Sequence, residues 1–307
     1  MTAPLLAALM LIGSAQDAPV RQDTPVELPD VVAEGRRLEQ LAREFINDVA
    51  APTRDRGLAR WNTRLCVGAL NLRADVARTI VDRISDVADG LGVETGRPGC
   101  RPNALIIATD DGAGMATAMV EYRRRAFDIG SLKITQNDGA LEAFMTEDRP
   151  VRWWQMSIPT DSETGQRAIR LPGDVDPSTN EPIAPRIAVF AASRIQSQIR
   201  DDLTKVFIIV DIDDVDGLTT TQLADYLAMV TLAQIDAQGD TAGYDTVLNL
   251  FRDREGVSGL TSWDMAYLTG LYGAEQNRIN PNAQARGVAD AAVRARRAQV
   301  EERPQEE

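Results

Sequence analysis

The hydrophobic and polar positions along the chain follow two periods, and these periods predict its helices and strands. Apolar residues recurring every three or four positions predict helices over 31–50, 75–91, 112–127, 219–236, 261–272 and 288–300. Short runs rich in β-branched and aromatic residues predict strands over 61–70, 104–109, 151–159, 187–191 and 205–213. Because the two kinds of element are interleaved, we expect helices to pack on a β-sheet.

Two helices in the C-terminal third of the chain begin with recognisable caps. Thr219 and Gln222 have the spacing of a capping box, in which each side chain accepts a hydrogen bond from the other residue's backbone N–H. In the second helix, Thr261 or Ser262 can serve as the N-cap. Asp264 lies in its first turn, where the helix dipole favours negative charge. These signals predict where both helices start.

The second of these helices carries a resemblance to a known family. Residues 260–273 read LTSWDMAYLTGLYG, which resembles the closing helix of matrixin-like catalytic domains in the metzincin zinc peptidases, roughly LSxxDIxxIxxLYG. Upstream, TVLN at 246–249 resembles the Met-turn of that family, with Leu248 at the methionine position, and QLADY at 222–226 lies where HExxH belongs. The resemblance covers about a fifth of the chain. It implies an α+β fold, a mixed β-sheet flanked by helices, like a metzincin catalytic domain.

The zinc chemistry of that family is missing from the chain. HExxH works because two histidines one helical turn apart bind Zn²⁺ while the glutamate acts as general base. This chain contains no histidine, and Gln222, Leu223 and Tyr226 occupy those three positions. The resemblance therefore implies no catalytic residue, no metal and no cofactor. It leaves structural roles, with Asp264 bracing the Met-turn position and Tyr272 on the apolar face of the closing helix. Some exported bacterial proteins share this degenerate layout.

Length and charge limit the classes of partner. A chain of 307 residues can bury a large core, and we expect one zincin-like domain over 31–275 followed by a polar tail, helical or disordered, over 276–307. The net charge of −13 argues against nucleic acid or an anionic membrane surface as partner. No stretch approaches the roughly 20 apolar residues of a membrane-spanning helix.

The N-terminus has the layout of an export signal. Leu5 to Ile12 is a short apolar run, and Gly13 to Ala15 is a small-residue cleavage site. We therefore expect a signal peptide over 1–15, a Pro-rich linker over 16–30, and a periplasmic or secreted protein. The alternative is a loosely packed apolar N-terminus, because no Lys or Arg precedes the apolar run.

Two cysteines fit an exported protein. Cys66 lies in or beside one predicted strand, and Cys100 lies just before another. Two strands of one sheet can bring them together as a disulfide. Two buried free thiols and a weak metal pair are the alternatives, and the second needs ligands that the chain lacks, since it has no other Cys and no His.

Two acidic stretches follow predicted strands. Asp211–Asp216 resembles a Ca²⁺ loop, although its carboxylate spacing differs from that of an EF-hand. The alternative is a set of solvated carboxylates at a strand–helix junction. Asp110 and Asp111 could belong to a phosphate-binding loop, but their negative charge and the missing P-loop lysine favour a helix cap.

Adjacent tryptophans lie in one of the predicted strands. Because side chains alternate along a strand, Trp153 and Trp154 should face opposite sides of the sheet. We expect one of them in the core and the other partly exposed, either packed at a sheet edge or marking a ligand or partner surface.

Three functions are compatible with these features. The first is a catalytically inactive zincin-like protein that binds an unknown protein or peptide partner, or has a structural role. The second is a metal-independent hydrolase using Asp225 or the Asp211–Asp216 cluster, which needs two carboxyls facing each other across a cleft. The third is a Ca²⁺-dependent binding module. Catalytic triads that use histidine are excluded, because the chain has none.

Overall fold

A computed structural model describes residues 30–53, 56–127, 139–168, 178 and 196–301. The predicted signal peptide, the linker up to residue 29 and the strand predicted over 187–191 lie outside these residues. Within the described part of the chain, no helix combines the length and the apolar character needed to cross a membrane.

Most of the described helices and strands lie where the hydrophobic pattern predicts them. The pattern does not predict the helix Ala140–Thr146, and the last strand, Ile199–Asp211, begins before the predicted residue 205. The helices are α1 (Asp30–Val49), α2 (Ala74–Gly90), α3 (Gly112–Tyr122), α4 (Arg124–Phe127), α5 (Ala140–Thr146), α6 (Thr220–Leu232), α7 (Ser262–Gly273) and α8 (Pro281–Glu301). The strands are β1 (Val67–Leu70), β2 (Ala104–Thr109), β3 (Val151–Asp161) and β4 (Ile199–Asp211). A 3₁₀ turn, Val247–Asn249, lies between α6 and α7.

The four strands form one mixed sheet in the order β1-β2-β4-β3. β1, β2 and β4 are parallel, and β3 runs antiparallel to β4. Ala104 at the start of β2 pairs with Val67 on one side and with Val206 on the other. The prediction of a mixed sheet flanked by helices is confirmed.

Helices cover both faces of this sheet. One face packs against α1, α2, α6, α7 and α8 in the main hydrophobic core, and the other packs against α3, α4 and α5 in a second cluster. Trp153 belongs to the first cluster and Trp154 to the second, as the alternation predicts. The expected partial exposure of one tryptophan is wrong. Their Nε1 atoms donate to the carbonyls of Ile235 and Phe127, and both rings are buried because each face has its own helical layer.

The C-terminal helix α8 includes the helix predicted over 288–300 and packs against the main core. α8 buries Val288 and Val293 in the main core. It crosses α7 closely, since a side chain at Gly270 would approach the backbone nitrogen of Ala292 to 2.6 Å. Gln284 binds both the N–H and the carbonyl of Leu58, each at 2.9 Å. In the sequence, α8 is a polar segment rich in Arg and Ala. Its small side chains allow its backbone to pack against the core.

The two cysteines form a disulfide between Cys66 and Cys100, with their Cα atoms 6.1 Å apart. It joins the start of β1 to the segment before β2, and the parallel pairing of these strands brings the two residues together. The predicted pairing is confirmed. Asn103 supports the same junction, since its Oδ1 accepts from the Cys66 N–H at 2.7 Å.

Candidate functional site

Gln222, which the sequence resemblance would place at the first position of a zinc motif, holds the backbone through its side-chain amide. Its Oε1 accepts from the Thr219 N–H at 3.0 Å, which completes the predicted capping box of α6. Its Nε2 donates to the carbonyls of Arg254 at 2.8 Å and Val257 at 2.7 Å. The amide therefore joins the N-terminus of α6 to the loop that precedes α7, and its donor and acceptor groups are occupied.

The other two positions of the motif are core positions. Leu223 and Tyr226 are 8% and 6% exposed. The Tyr226 ring lies edge-on between Trp153 of β3, at 6.2 Å between ring centroids, and Phe251, at 5.0 Å. Burial raises the pKa of the Tyr226 phenol well above its ordinary value. The side chains thus fill the space beside α6 instead of lining an open cleft.

The zinc that the metzincin resemblance would imply does not fit these residues. Leu223 has no donor atom, and the Gln222 amide is already bound. The Tyr226 phenol stays protonated, whereas metal ligands must be deprotonated. Among the described residues, no three His, Cys, Asp or Glu side chains lie close enough together to hold a metal ion.

Asp264 joins α7 to the 3₁₀ turn. The carboxylate is fully buried and accepts from the Thr246 hydroxyl at 2.6 Å, from the Val247 N–H at 2.7 Å and from the Thr261 N–H at 2.9 Å. Burial raises its pKa to about 6, while these hydrogen bonds oppose the increase. Thr261 is the N-cap of α7. Leu248, at the methionine position, is partly buried against the main core.

Tyr272 joins the end of α7 to the end of α6. Its hydroxyl donates to the carbonyl of Leu232 at 2.8 Å. The guanidinium of Arg60 lies over the ring, 5.9 Å from its centroid, and donates to the carbonyls of Leu271 and Ala274 at 2.7 and 3.0 Å. Arg60 therefore caps the C-terminus of α7, where unpaired carbonyls favour a cation.

Asp225, a candidate catalytic carboxylate, is a buried structural link. One oxygen accepts from Arg83 Nε at 2.5 Å and the other from the Leu260 N–H at 2.8 Å. A side chain at Gly259 would collide with this carboxylate, which explains the glycine before Leu260. Asp225 thus connects α6 with α2 and with the segment that enters α7.

The two acidic stretches also form hydrogen bonds within the fold. Asp111 caps α3, accepting from the Gly114 N–H at 2.8 Å, so the cap interpretation of that stretch is confirmed. In the Asp211–Asp216 loop, Arg254 donates to the carbonyls of Asp214 at 2.7 Å and Asp216 at 2.9 Å. Arg254 therefore holds the backbone of this loop through two of its carbonyls.

A cavity of about 560 Å³ opens at the beginning of β3. Its walls come from the end of α1, from α5, from the start of β3 and from the segment after α6, and they are formed by Ala50, Ala51, Pro52, Gly139, Ala140, Glu142, Ala143, Phe144, Thr146, Glu147, Arg149, Arg152, Trp153, Asp236, Ala237 and Gln238. No sequence motif indicates it, because four separate segments contribute. Among the features noted in the sequence, only the adjacent tryptophans lie in this part of the chain.

The residues that the sequence resemblance singles out thus make contacts that stabilise the fold. Gln222 holds a loop, Tyr226 packs in the core, Asp264 holds the 3₁₀ turn and Tyr272 binds the end of α6. Comparisons of the chain with protein-family models, with curated proteins and with solved structures found no match.

Proposed function

We propose that this chain is a non-catalytic protein on a zincin-like scaffold and that it acts by binding a partner or ligand. One observation carries the proposal: Tyr226, at the position of the second zinc histidine, lies buried between Trp153 and Phe251. A buried aromatic ring between two others is a packing residue, and it carries no imidazole with which to bind zinc.

The order and contacts of the elements support the zincin-like scaffold. β1, α2 and β2 follow one another as in the first half of a zincin, and α6, the 3₁₀ turn and α7 follow in the order of its second half. The contact of Asp264 with Val247 is the bracing that the resemblance implies for the Met-turn. Export to the periplasm or beyond is part of the proposal, supported by the Cys66–Cys100 disulfide.

The two alternatives have less support. A carboxylate-based hydrolase would need a free carboxyl in a cleft, whereas both oxygens of Asp225 accept hydrogen bonds within the fold. A Ca²⁺ module would need converging oxygens, whereas Arg254 binds two carbonyls of the Asp211–Asp216 loop.

Elemental analysis of the purified chain, combined with a peptidase assay on the same sample, tests the proposal. We expect no stoichiometric zinc and no cleavage, before or after added Zn²⁺. One tightly held zinc per chain, or zinc-dependent cleavage, would contradict the proposal. Metal-independent cleavage that disappears in a folded Asp225→Asn variant would support the carboxylate hydrolase instead.

A further inference from the structure

β1 lies at one edge of the sheet, and part of that edge is open. We propose that an extended acidic peptide segment of a partner protein binds there as an added strand, paired with the backbone of Val67 and Ala69. This inference rests on the proposed binding role, because it names the kind of partner and the surface that the partner contacts.

Successive residues of β1 turn their backbone N–H and carbonyl groups to opposite sides of the strand. The Cys66 carbonyl accepts from the Ala104 N–H at 3.1 Å, so it faces β2. Leu65, Val67 and Ala69 alternate with Cys66 and therefore face outward. In the described part of the chain, β1 pairs only with β2, and the outward groups of Val67 and Ala69 have no hydrogen-bond partner. These groups can pair with another strand.

The chain itself begins an outer strand beside β1 and does not continue it. Leu65 donates to the Glu94 carbonyl at 2.8 Å and accepts from the Gly96 N–H at 2.7 Å, in a parallel bridge. Continued pairing in this register would bring residue 98 to the Val67 carbonyl. Pro98 has no N–H to donate, so the pairing ends after one bridge.

A tight turn and the disulfide then hold the chain away from the rest of the edge. The Cys100 N–H donates to the Arg97 carbonyl at 3.0 Å, and Gly99 has the positive φ of 85° that such a turn requires. The disulfide from Cys100 to Cys66 fixes this turn at the start of β1. The segment that could have covered Val67 and Ala69 is therefore fixed at the beginning of the strand.

The charges at the start of β1 favour an acidic partner. Arg97 and Arg101 are exposed, and neither has an ion pair among the residues that the structure describes. Arg64 and Glu94, which share a cavity of about 420 Å³ with Arg97, form an ion pair with each other. Two arginines thus remain uncompensated on a chain whose net charge is −13. Complementary charge directs an acidic segment to this end of the edge.

The opposite end of β1 favours an apolar contact. Leu70, the last residue of the strand, is 50% exposed. The segment that fits this edge is therefore acidic at one end and apolar at the other. A second copy of the chain is disfavoured as the occupant, because each copy carries a net charge of −13.

Fluorescence anisotropy measures binding of the full chain to a labelled peptide that has two glutamates followed by alternating valine and threonine. We expect saturable binding. The same peptide with lysines in place of the glutamates should bind at least about tenfold more weakly, because the exposed arginines repel it. A version with methylated backbone nitrogens should be weakened by a similar factor, because it cannot donate hydrogen bonds to the β1 carbonyls.

Variants of the chain locate the site. Arg97→Glu/Arg101→Glu should weaken binding of the acidic peptide by at least about tenfold. Arg294→Glu/Arg297→Glu is the matched control, since both arginines are exposed on α8 and the net charge changes equally, and it should leave binding unchanged. Ala69→Pro removes one outward N–H from the edge and should also weaken binding.

Several results would overturn the strand-addition site. They are no binding of the acidic peptide, equal affinity for the lysine peptide or the methylated peptide, and unchanged affinity in the Arg97→Glu/Arg101→Glu chain. Self-association in sedimentation experiments that Ala69→Pro abolishes would also overturn it, since a second copy would then be the occupant. All these results would leave the zinc-free scaffold proposal standing, because that proposal is tested by metal content and cleavage.

Discussion

The carboxylate of Asp264 accepts a 2.7 Å hydrogen bond from the backbone N–H of Val247, seventeen residues earlier in the chain. The same group accepts from Thr246 and Thr261 while being fully buried. One side chain on α7 therefore sets the position of the 3₁₀ turn and completes the cap of its own helix. Asp264 thus links α7 to the 3₁₀ turn.

Replacing Asp264 should cost much of the stability of the fold. Asp264→Ala leaves the Val247 and Thr261 N–H groups without their acceptor, and each unpaired buried donor costs about 1–3 kcal/mol. We expect the free energy of unfolding, measured by urea denaturation, to fall by about 2–5 kcal/mol. The exposed Asp213→Ala is the control, with a change of less than about 0.5 kcal/mol. Equal effects of the two variants would contradict the bracing role.

Stability should also depend on pH through Asp264. Burial raises its pKa in the folded state to about 6 from the ordinary value of 3.8, so the folded chain takes up this proton at higher pH than the unfolded chain. Protonation of Asp264 therefore stabilises the folded chain. This stabilisation is fully present below about pH 4 and is lost as pH rises through 6. The unfolding free energy of the unaltered chain minus that of the Asp264→Asn chain should therefore decrease as pH rises from about 4 to about 6. A difference that increases with pH in this window would refute the assignment.

Replacing Arg83 and replacing Asp225 should reduce the stability of the fold by different amounts. Asp225 is buried and also binds the Leu260 N–H, whereas the Arg83 side chain is 42% exposed. Arg83→Ala leaves the buried Asp225 carboxylate without its cation and should reduce the unfolding free energy by roughly 3 kcal/mol. Asp225→Ala leaves the Leu260 N–H without its acceptor but lets water solvate the exposed Arg83, and it should cost about 1–2 kcal/mol. A double-mutant cycle by urea denaturation measures both values and the coupling between them. Losses below about 0.5 kcal/mol for both variants would contradict the structural link.

The disulfide should stabilise the chain without being needed for its sheet. Cys66 and Cys100 are separated by 34 residues, and a loop of that size contributes about 3–4 kcal/mol in the chain-entropy model. The double variant Cys66→Ala/Cys100→Ala should lose that amount in urea unfolding and keep its far-ultraviolet circular dichroism, because Asn103 still joins the two strands. Unchanged stability would show that the bond does not constrain the unfolded chain.

Local patterns predicted the elements that depend on neighbouring residues. The β-branched run over 104–109 has the same bounds as β2, and the spacing of Thr219 and Gln222 gave the capping box of α6. The capping box arises from contacts three residues apart. The strand shows itself locally as a short run of β-branched residues, although its hydrogen-bond partners in β1 and β4 are distant in the chain.

Local sequence patterns could not predict the contacts between distant segments of the chain. Asp225 and Arg83 are 142 residues apart, and nothing near either residue marks the pair. The packing of α8 depends on the close approach of its backbone to Gly270. The polar composition of α8 gives no indication of this contact. The cavity beside Arg152 exists only because four segments converge at the start of β3.

The most direct test of the central claim is the stability of Tyr226→Ala, measured by urea denaturation. If position 226 has become a core position, removing the ring from between Trp153 and Phe251 should reduce the unfolding free energy by about 3–5 kcal/mol. A loss below about 1 kcal/mol would contradict the claim, because it would mean that the ring lies beside an open cleft and does not fill the core.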